Sequence, residues 1–273
     1  MRIKNGFTFC VAVIHGDYLK ETSVCILCET KSMLSVETVT STSRRNWLKV
    51  AGAASLVAPL SLAVTTAMAS TPPKPANVLT PDQALDRLMQ GNERYVSGKT
   101  EPVNFAKTRA TLAGGQNPYA CLVSCADSRI GPEYAFDEGR GDLFVTRVAG
   151  NFVNTDILAS LEYGTAVLGA PLIMVLGHTS CGAIDATVKA VTQNASYPGH
   201  IQALTTALSP AVRQSQAAGA KDLVMAATLD NIRLNVLKLQ QSNPILAERV
   251  SKGQLKVVGG LYHLETGKVE MVV

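Results

Sequence analysis

The stretch Tyr119-Ala120-Cys121-Leu122-Val123-Ser124-Cys125-Ala126-Asp127-Ser128-Arg129 decides how this chain is read. It opens as a short apolar run without polar alternation, the pattern of a strand buried on both faces of a parallel sheet. Two similar runs follow. Leu143-Phe144-Val145-Thr146-Arg147 leads into Gly150-Asn151, and Leu172-Ile173-Met174-Val175-Leu176 leads into Gly177-His178. Helical spacing lies between them, over residues 157–167 and 183–191. Strand and helix in alternation imply right-handed βαβ crossovers. Upstream, Thr80, Pro81 and Gln83 predict the cap, first turn and capping box of a helix that fades near Gly98. Downstream, residues 222–241 read as an amphipathic helix through Val224, Ala227, Leu229, Ile232, Val236 and Leu239. Residues 255–258 read as a fourth strand, and residues 268–272, after a turn at Gly267, as an antiparallel edge strand. The expected fold is α/β: a mostly parallel sheet of four strands plus an antiparallel edge strand, flanked by helices.

In an open parallel sheet, ligands bind beyond the carboxyl ends of the strands. Cys125-Ala126-Asp127-Ser128-Arg129 follows the first strand and His178-Thr179-Ser180-Cys181-Gly182 follows the third. The two motifs can therefore meet, although 178 − 125 = 53 residues separate them. Cys125, His178 and Cys181 offer two thiolates and one imidazole, a soft donor set suited to Zn²⁺ with one tetrahedral position left free. A free position is what separates a catalytic zinc from a structural one. Cys121 lies four residues back, about 13 Å at strand rise, and reads as a core residue. Asp127 and Arg129 share the parity of Cys125, so an extended chain projects all three to one side. Arg129 can then hold Asp127 bidentately and ionised. Asp127 would accept a proton from bound water or take the open coordination position. His200 and His263 read as surface residues, and Gly150 and Asn151 as turn formers of the pocket wall.

Cys-x-Asp-Ser-Arg followed by His-x-x-Cys-Gly resembles the β-class carbonic anhydrases. Gly91-Asn92-Glu93-Arg94-Tyr95, Val148-Ala149-Gly150-Asn151 and Gly259-Gly260-Leu261-Tyr262 extend the resemblance over residues 80–273. It implies a zinc-dependent lyase with one Zn²⁺ per subunit, hydrating CO₂ reversibly to bicarbonate and a proton by zinc-bound hydroxide. It also implies Cys125, His178 and Cys181 as zinc ligands, Asp127 and Arg129 as the catalytic dyad, and a homodimer or homotetramer. Members that bind regulatory bicarbonate carry Trp three residues before the first ligand Cys. Leu122 stands there, so that regulation is not expected, although Arg147 and Tyr262 could fill the other two places. Hydrolysis of a CO₂ analogue, COS or CS₂, is the alternative on the same scaffold. A non-catalytic zinc module fits less well, because the dyad is intact and a fourth thiolate is missing.

The chain has 273 residues, 47% hydrophobic and 17% charged, with a formal charge of +4, which excludes a disordered or low-complexity protein. Residues 70–273 are close to neutral and carry no basic stripe, which argues against nucleic acid as partner. The basic excess lies in residues 1–69. There Ser43-Arg44-Arg45-Asn46-Trp47-Leu48-Lys49 precedes an apolar stretch free of charge, and Ala67-Met68-Ala69 supplies a cleavage point. This is the pattern of a twin-arginine signal peptide. The expected organisation is an N-terminal extension and signal over 1–69, a Pro-rich linker over 70–79 and the zinc-dependent domain over 80–273. The mature protein is expected to be exported to the periplasm, with no stable membrane span. Of the six cysteines, Cys121, Cys125 and Cys181 remain after the signal. An odd number makes metal-thiolate chemistry competitive with a disulfide framework.

Overall fold

Thr80 caps the first helix as its sequence requires: its side chain accepts from the Gln83 N–H at 3.3 Å, and Gln83 Oε1 accepts from the Thr80 N–H at 2.9 Å. The molecule, a computed structural model, is described over residues 79–100, 102 and 104–273. The expected signal segment, and all of the linker before Leu79, lie outside the described residues. Helix α1 (Pro81–Val96) buries Ala84 and Leu88 against one face of the sheet.

The sheet comprises β1 (Ala120–Ser124), β2 (Leu143–Arg147), β3 (Leu172–His178), β4 (Lys256–Tyr262) and β5 (Val269–Met271), in the order β2-β1-β3-β4-β5. The first four are parallel and β5 pairs antiparallel to β4, as expected. Every residue of the central strands β1 and β3 is buried, which is why their sequences show no alternation. Side chains nevertheless alternate between faces. Leu122, Met174 and Val258 pack with α1, while Cys121, Val123, Ile173 and Val175 pack with α4 (Thr155–Ala166) and α7 (Leu223–Gln240). Helix α7 approaches the sheet closely. A Cβ on Gly259 would lie 2.4 Å from Ile232 Cγ2, so only glycine admits the helix there. β4 runs beyond the expected strand through Gly259-Gly260 to Tyr262 for the same reason: these glycines serve packing, not a break.

From β1 the chain runs outward to β2 and returns across β1 to β3 on its other side. The carboxyl ends of β1 and β3 therefore flank a topological switch point, where a crevice opens. Four further helices complete the described chain besides α5 (Gly182–Gln193): α2 (Phe105–Leu112), α3 (Pro132–Ala135), α6 (Ile201–Ala217) and α8 (Ile245–Ser251). Leu208 and Val212 of α6 join Ile184 and Ala227 around Cys125 and Cys181, so α5, α6 and α7 close the crevice on one side. No helix among the described residues is long and apolar enough to cross a membrane.

Candidate metal centre

Cys125 follows β1 directly, His178 is the last residue of β3, and Cys181 caps α5. The three side chains are almost completely buried, and their ligand atoms lie within 4.8 Å of one another. The two sulfurs are 4.0 Å apart. His178 donates from Nδ1 to the Thr179 carbonyl at 2.9 Å, which leaves the Nε2 lone pair facing inward. That buried Nε2 has no hydrogen-bond partner.

Electrostatics point the same way. The Cys181 thiol beside it pulls Cys125 well below the usual thiol range, helped by the Gly150 N–H, whereas donating to Cys125 pushes Cys181 up. The pair thus shares one proton between two sulfurs. A buried lone pair without a donor and two adjacent sulfurs that cannot both ionise alone are the features a divalent cation satisfies. The residues fit a zinc ion.

Asp127 and Arg129 stand at the rim. Arg129 grips the carboxylate with both arms, Nε to Oδ1 at 2.9 Å and Nη2 to Oδ2 at 2.7 Å. This hold keeps Asp127 far below the usual carboxylate range. Asp127 Oδ2 lies 3.9 Å from His178 Nε2, so the dyad borders the ligand cluster. The expected route to this pairing needs correction. The chain is not extended beyond Ser124; residues 127–130 form a turn in which the Arg129 N–H donates to Asp127 Oδ1 at 2.9 Å and the Ile130 N–H to the Asp127 carbonyl at 3.3 Å. A side-chain-capped turn, not strand parity, brings the two together. With both oxygens engaged by Arg129, Asp127 is not turned in as a fourth ligand.

Several supporting contacts go beyond the sequence reading, which had Gly150 and Asn151 only as turn formers of the pocket wall. Arg147 donates to three carbonyls of the same loop, Cys125 at 2.9 Å, Asp127 at 2.7 Å and Ile130 at 3.0 Å. The Gly150 N–H donates to Cys125 Sγ at 3.3 Å, and the Gly150 carbonyl accepts from Asn231. Ser180 and Asn151, both beside the centre, hold positive φ of 55° and 40°. The signal for Asn231 and Asn235 was present: two amides one helical turn apart among apolar residues of α7. Cys121 stays apart, fully buried against α4, with burial pushing its thiol up to about 12. His263 pairs with Glu270 at the surface and His200 lies exposed ahead of α6.

Fold and centre together define a class: an open α/β sheet carrying a Cys₂His site of zinc type at its switch point, bordered by an Asp–Arg pair. Comparison with known proteins narrows it. The carbonic anhydrase family model matches residues 120–269. Carbonic anhydrase 2 of Mycobacterium tuberculosis is 36% identical over 189 residues, covering 69% of this chain and 91% of its own length. The solved β-carbonic anhydrase CcaA superposes with a TM-score of 0.54 at 28% identity, over 68% of this chain and 94% of its own. The Coccomyxa β-carbonic anhydrase in complex with acetazolamide gives 0.52 at 28%, over 68% and 80%. The chain belongs to the β-class carbonic anhydrase family. Hydrolysis of COS or CS₂ is not favoured, since these relatives are carbonic anhydrases.

Proposed function

We propose that this protein hydrates CO₂ reversibly to bicarbonate and a proton, with Cys125, His178 and Cys181 holding Zn²⁺ and Asp127 and Arg129 handling the attacking water. The observation that carries this reading is the Asp127–Arg129 pair set 3.9 Å from the inward-facing His178 nitrogen in a chain of this family. When bound, zinc supplies a Lewis acid that makes hydroxide available near neutral pH.

The remaining work falls to the chain itself. Asp127 is ionised at neutral pH, because Arg129 holds its carboxyl far below the usual carboxylate range through two short bonds. It can therefore accept a hydrogen bond from water at Oδ2, orienting one lone pair outward to the substrate. Arg129 also donates to the Ser180 carbonyl at 3.3 Å, so the acceptor is fixed relative to the loop bearing Cys181. The Thr179 carbonyl fixes the His178 tautomer. Aliphatic side chains of α5, α6 and α7 shield the sulfurs from solvent. The product proton leaves to buffer.

Stopped-flow hydration on metal-analysed protein tests the reading. Zinc-dependent turnover is expected; zinc-loaded protein that releases sulfide from COS yet hydrates CO₂ negligibly would overturn it. Export and self-association belong to the same reading. The twin-arginine pattern supports cleavage after Ala69 and a periplasmic home, and exposed Phe105 and Tyr134 support a homodimer or homotetramer. N-terminal sequencing of periplasmic material and light scattering test these.

A further inference from the structure

We infer that Asn231 and Asn235 of α7 are positioning residues for the metal centre, acting by aiming the Gly150 N–H at the Cys125 sulfur. That N–H donates to Sγ at 3.3 Å. Gly150 sits at φ 85°, where a Cβ would also lie 2.6 Å from Leu208 Cδ1, so its peptide has a direction that only glycine permits. Asn151 follows at φ 40°, and the turn needs outside support.

The support is a polar relay in an apolar setting. Asn231 Nδ2 donates to the Gly150 carbonyl at 2.8 Å. Asn235 Nδ2 donates to Asn231 Oδ1 at 3.0 Å and to the Asn231 carbonyl at 2.8 Å, while Asn235 Oδ1 accepts from the Val153 N–H at 2.7 Å. Both side chains are buried beside Ile232 and Val236. The turn is thus clamped at residues 150 and 153 by two amides one helical turn apart. Burying amides is costly unless they are bonded, and apolar packing of equal shape would hold a mere loop about as well. Amides instead hold the Gly150 carbonyl, one peptide beyond the N–H that touches the sulfur, and so fix the residue that carries that N–H. An N–H donor to a thiolate draws electron density from sulfur and directs its remaining lone pairs, which is how outer hydrogen bonds tune a ligand.

The inference rests on Cys125 being a metal ligand, and one experiment separates the two. The cobalt-substituted protein is examined for its sulfur-to-cobalt charge-transfer band and for cobalt retention against excess chelator. Asn231→Ala is expected to move the band to lower energy and weaken retention about tenfold, with Asn235→Ala shifting both in the same direction by less. Asn92→Ala is the comparator: Asn92 is buried and bonds Ala135, Gly267 and Val269, so its loss lowers Tm without touching Cys125. A folded Asn231→Ala protein with unmoved band and retention overturns the inference. If that variant does not fold, Asn231→Ser and Asn235→Ala decide by the same two readings. A parent protein with no sulfur-to-cobalt band would sink the ligand assignment itself, and the inference with it.

Discussion

Arg129 Nη2 lies 3.3 Å from the Ser180 carbonyl while the same guanidinium grips Asp127, so one side chain joins the two loops that bear the sulfurs. Lysine can reach one of these acceptors but cannot make the planar, two-armed grip. Arg129→Lys is therefore expected to lower hydration kcat about 100-fold, the scale on which small misplacements act. Zinc content should stay near one per chain. Parent-like turnover would show that the grip has no part in the reaction.

Asp127→Asn removes the acceptor charge and preserves the shape. The expected loss is about 10²- to 10⁴-fold in kcat/KM, with metal content retained. The acid limb offers a second check. Arg129 depresses the Asp127 pKa below its unfolded value, so the stability it contributes is complete above that unfolded value and lost only as pH falls through the folded one. Asp127 does not titrate near neutrality. Activity should persist down to near neutral pH; a steep collapse below about pH 8 would instead mean that Asp127 leaves Arg129 to take a coordination position.

Zinc should protect the sulfurs. Chelation followed by a mild oxidant is expected to inactivate far faster than oxidant alone, because Cys125 and Cys181 lie 4.0 Å apart and Cys125 loses its proton readily. Mass mapping after alkylation should find both modified in the chelated protein. Cys121 should stay unmodified while the protein is folded, being wholly buried with its thiol at about 12. Metal retention should fall as pH drops, since protons compete for the same atoms.

Gly259→Ala tests the seating of α7. Its new methyl would meet Ile232 Cγ2 at 2.4 Å, and overpacking of this kind costs about 1–3 kcal/mol. Ile232→Ala, destabilising alone by about 2–5 kcal/mol, should lose less when combined with it than the sum of the two. Denaturant unfolding of the four proteins measures this. Strict additivity would mean that the backbone, not Ile232, absorbs the methyl.

The legible parts of the fold were those written in short-range pattern. The unbroken apolar runs at β1 and β3 announced strands buried on both faces, and Thr80, Pro81 and Gln83 located the start of α1. Helix α6 went unread, because Pro210 and several Ser and Thr interrupt it, although Thr205, Leu208, Ala211, Val212 and Ser215 keep a buried face at helical spacing. Helix α2 buries nothing and so carries no apolar period to detect. At the centre, the identities of Cys125, His178, Cys181, Asp127 and Arg129 could be read from sequence, but the turn that pairs Asp127 with Arg129 could not. For Arg147 the sequence suggested only a place in a regulatory bicarbonate site, not its three bonds to the Cys125 loop.

Composition and spacing by themselves determined an α/β chain with two sulfurs, one imidazole and an Asp–Arg pair at strand ends, because donor chemistry and periodicity are local properties. Only the tertiary structure decided that β1 and β3 are neighbours, which brings residues 53 positions apart (178 − 125) within 4.8 Å. It also decided that amides of α7 reach the turn beside Cys125. Such contacts depend on strand order and helix seating, which the whole core selects and no short segment encodes.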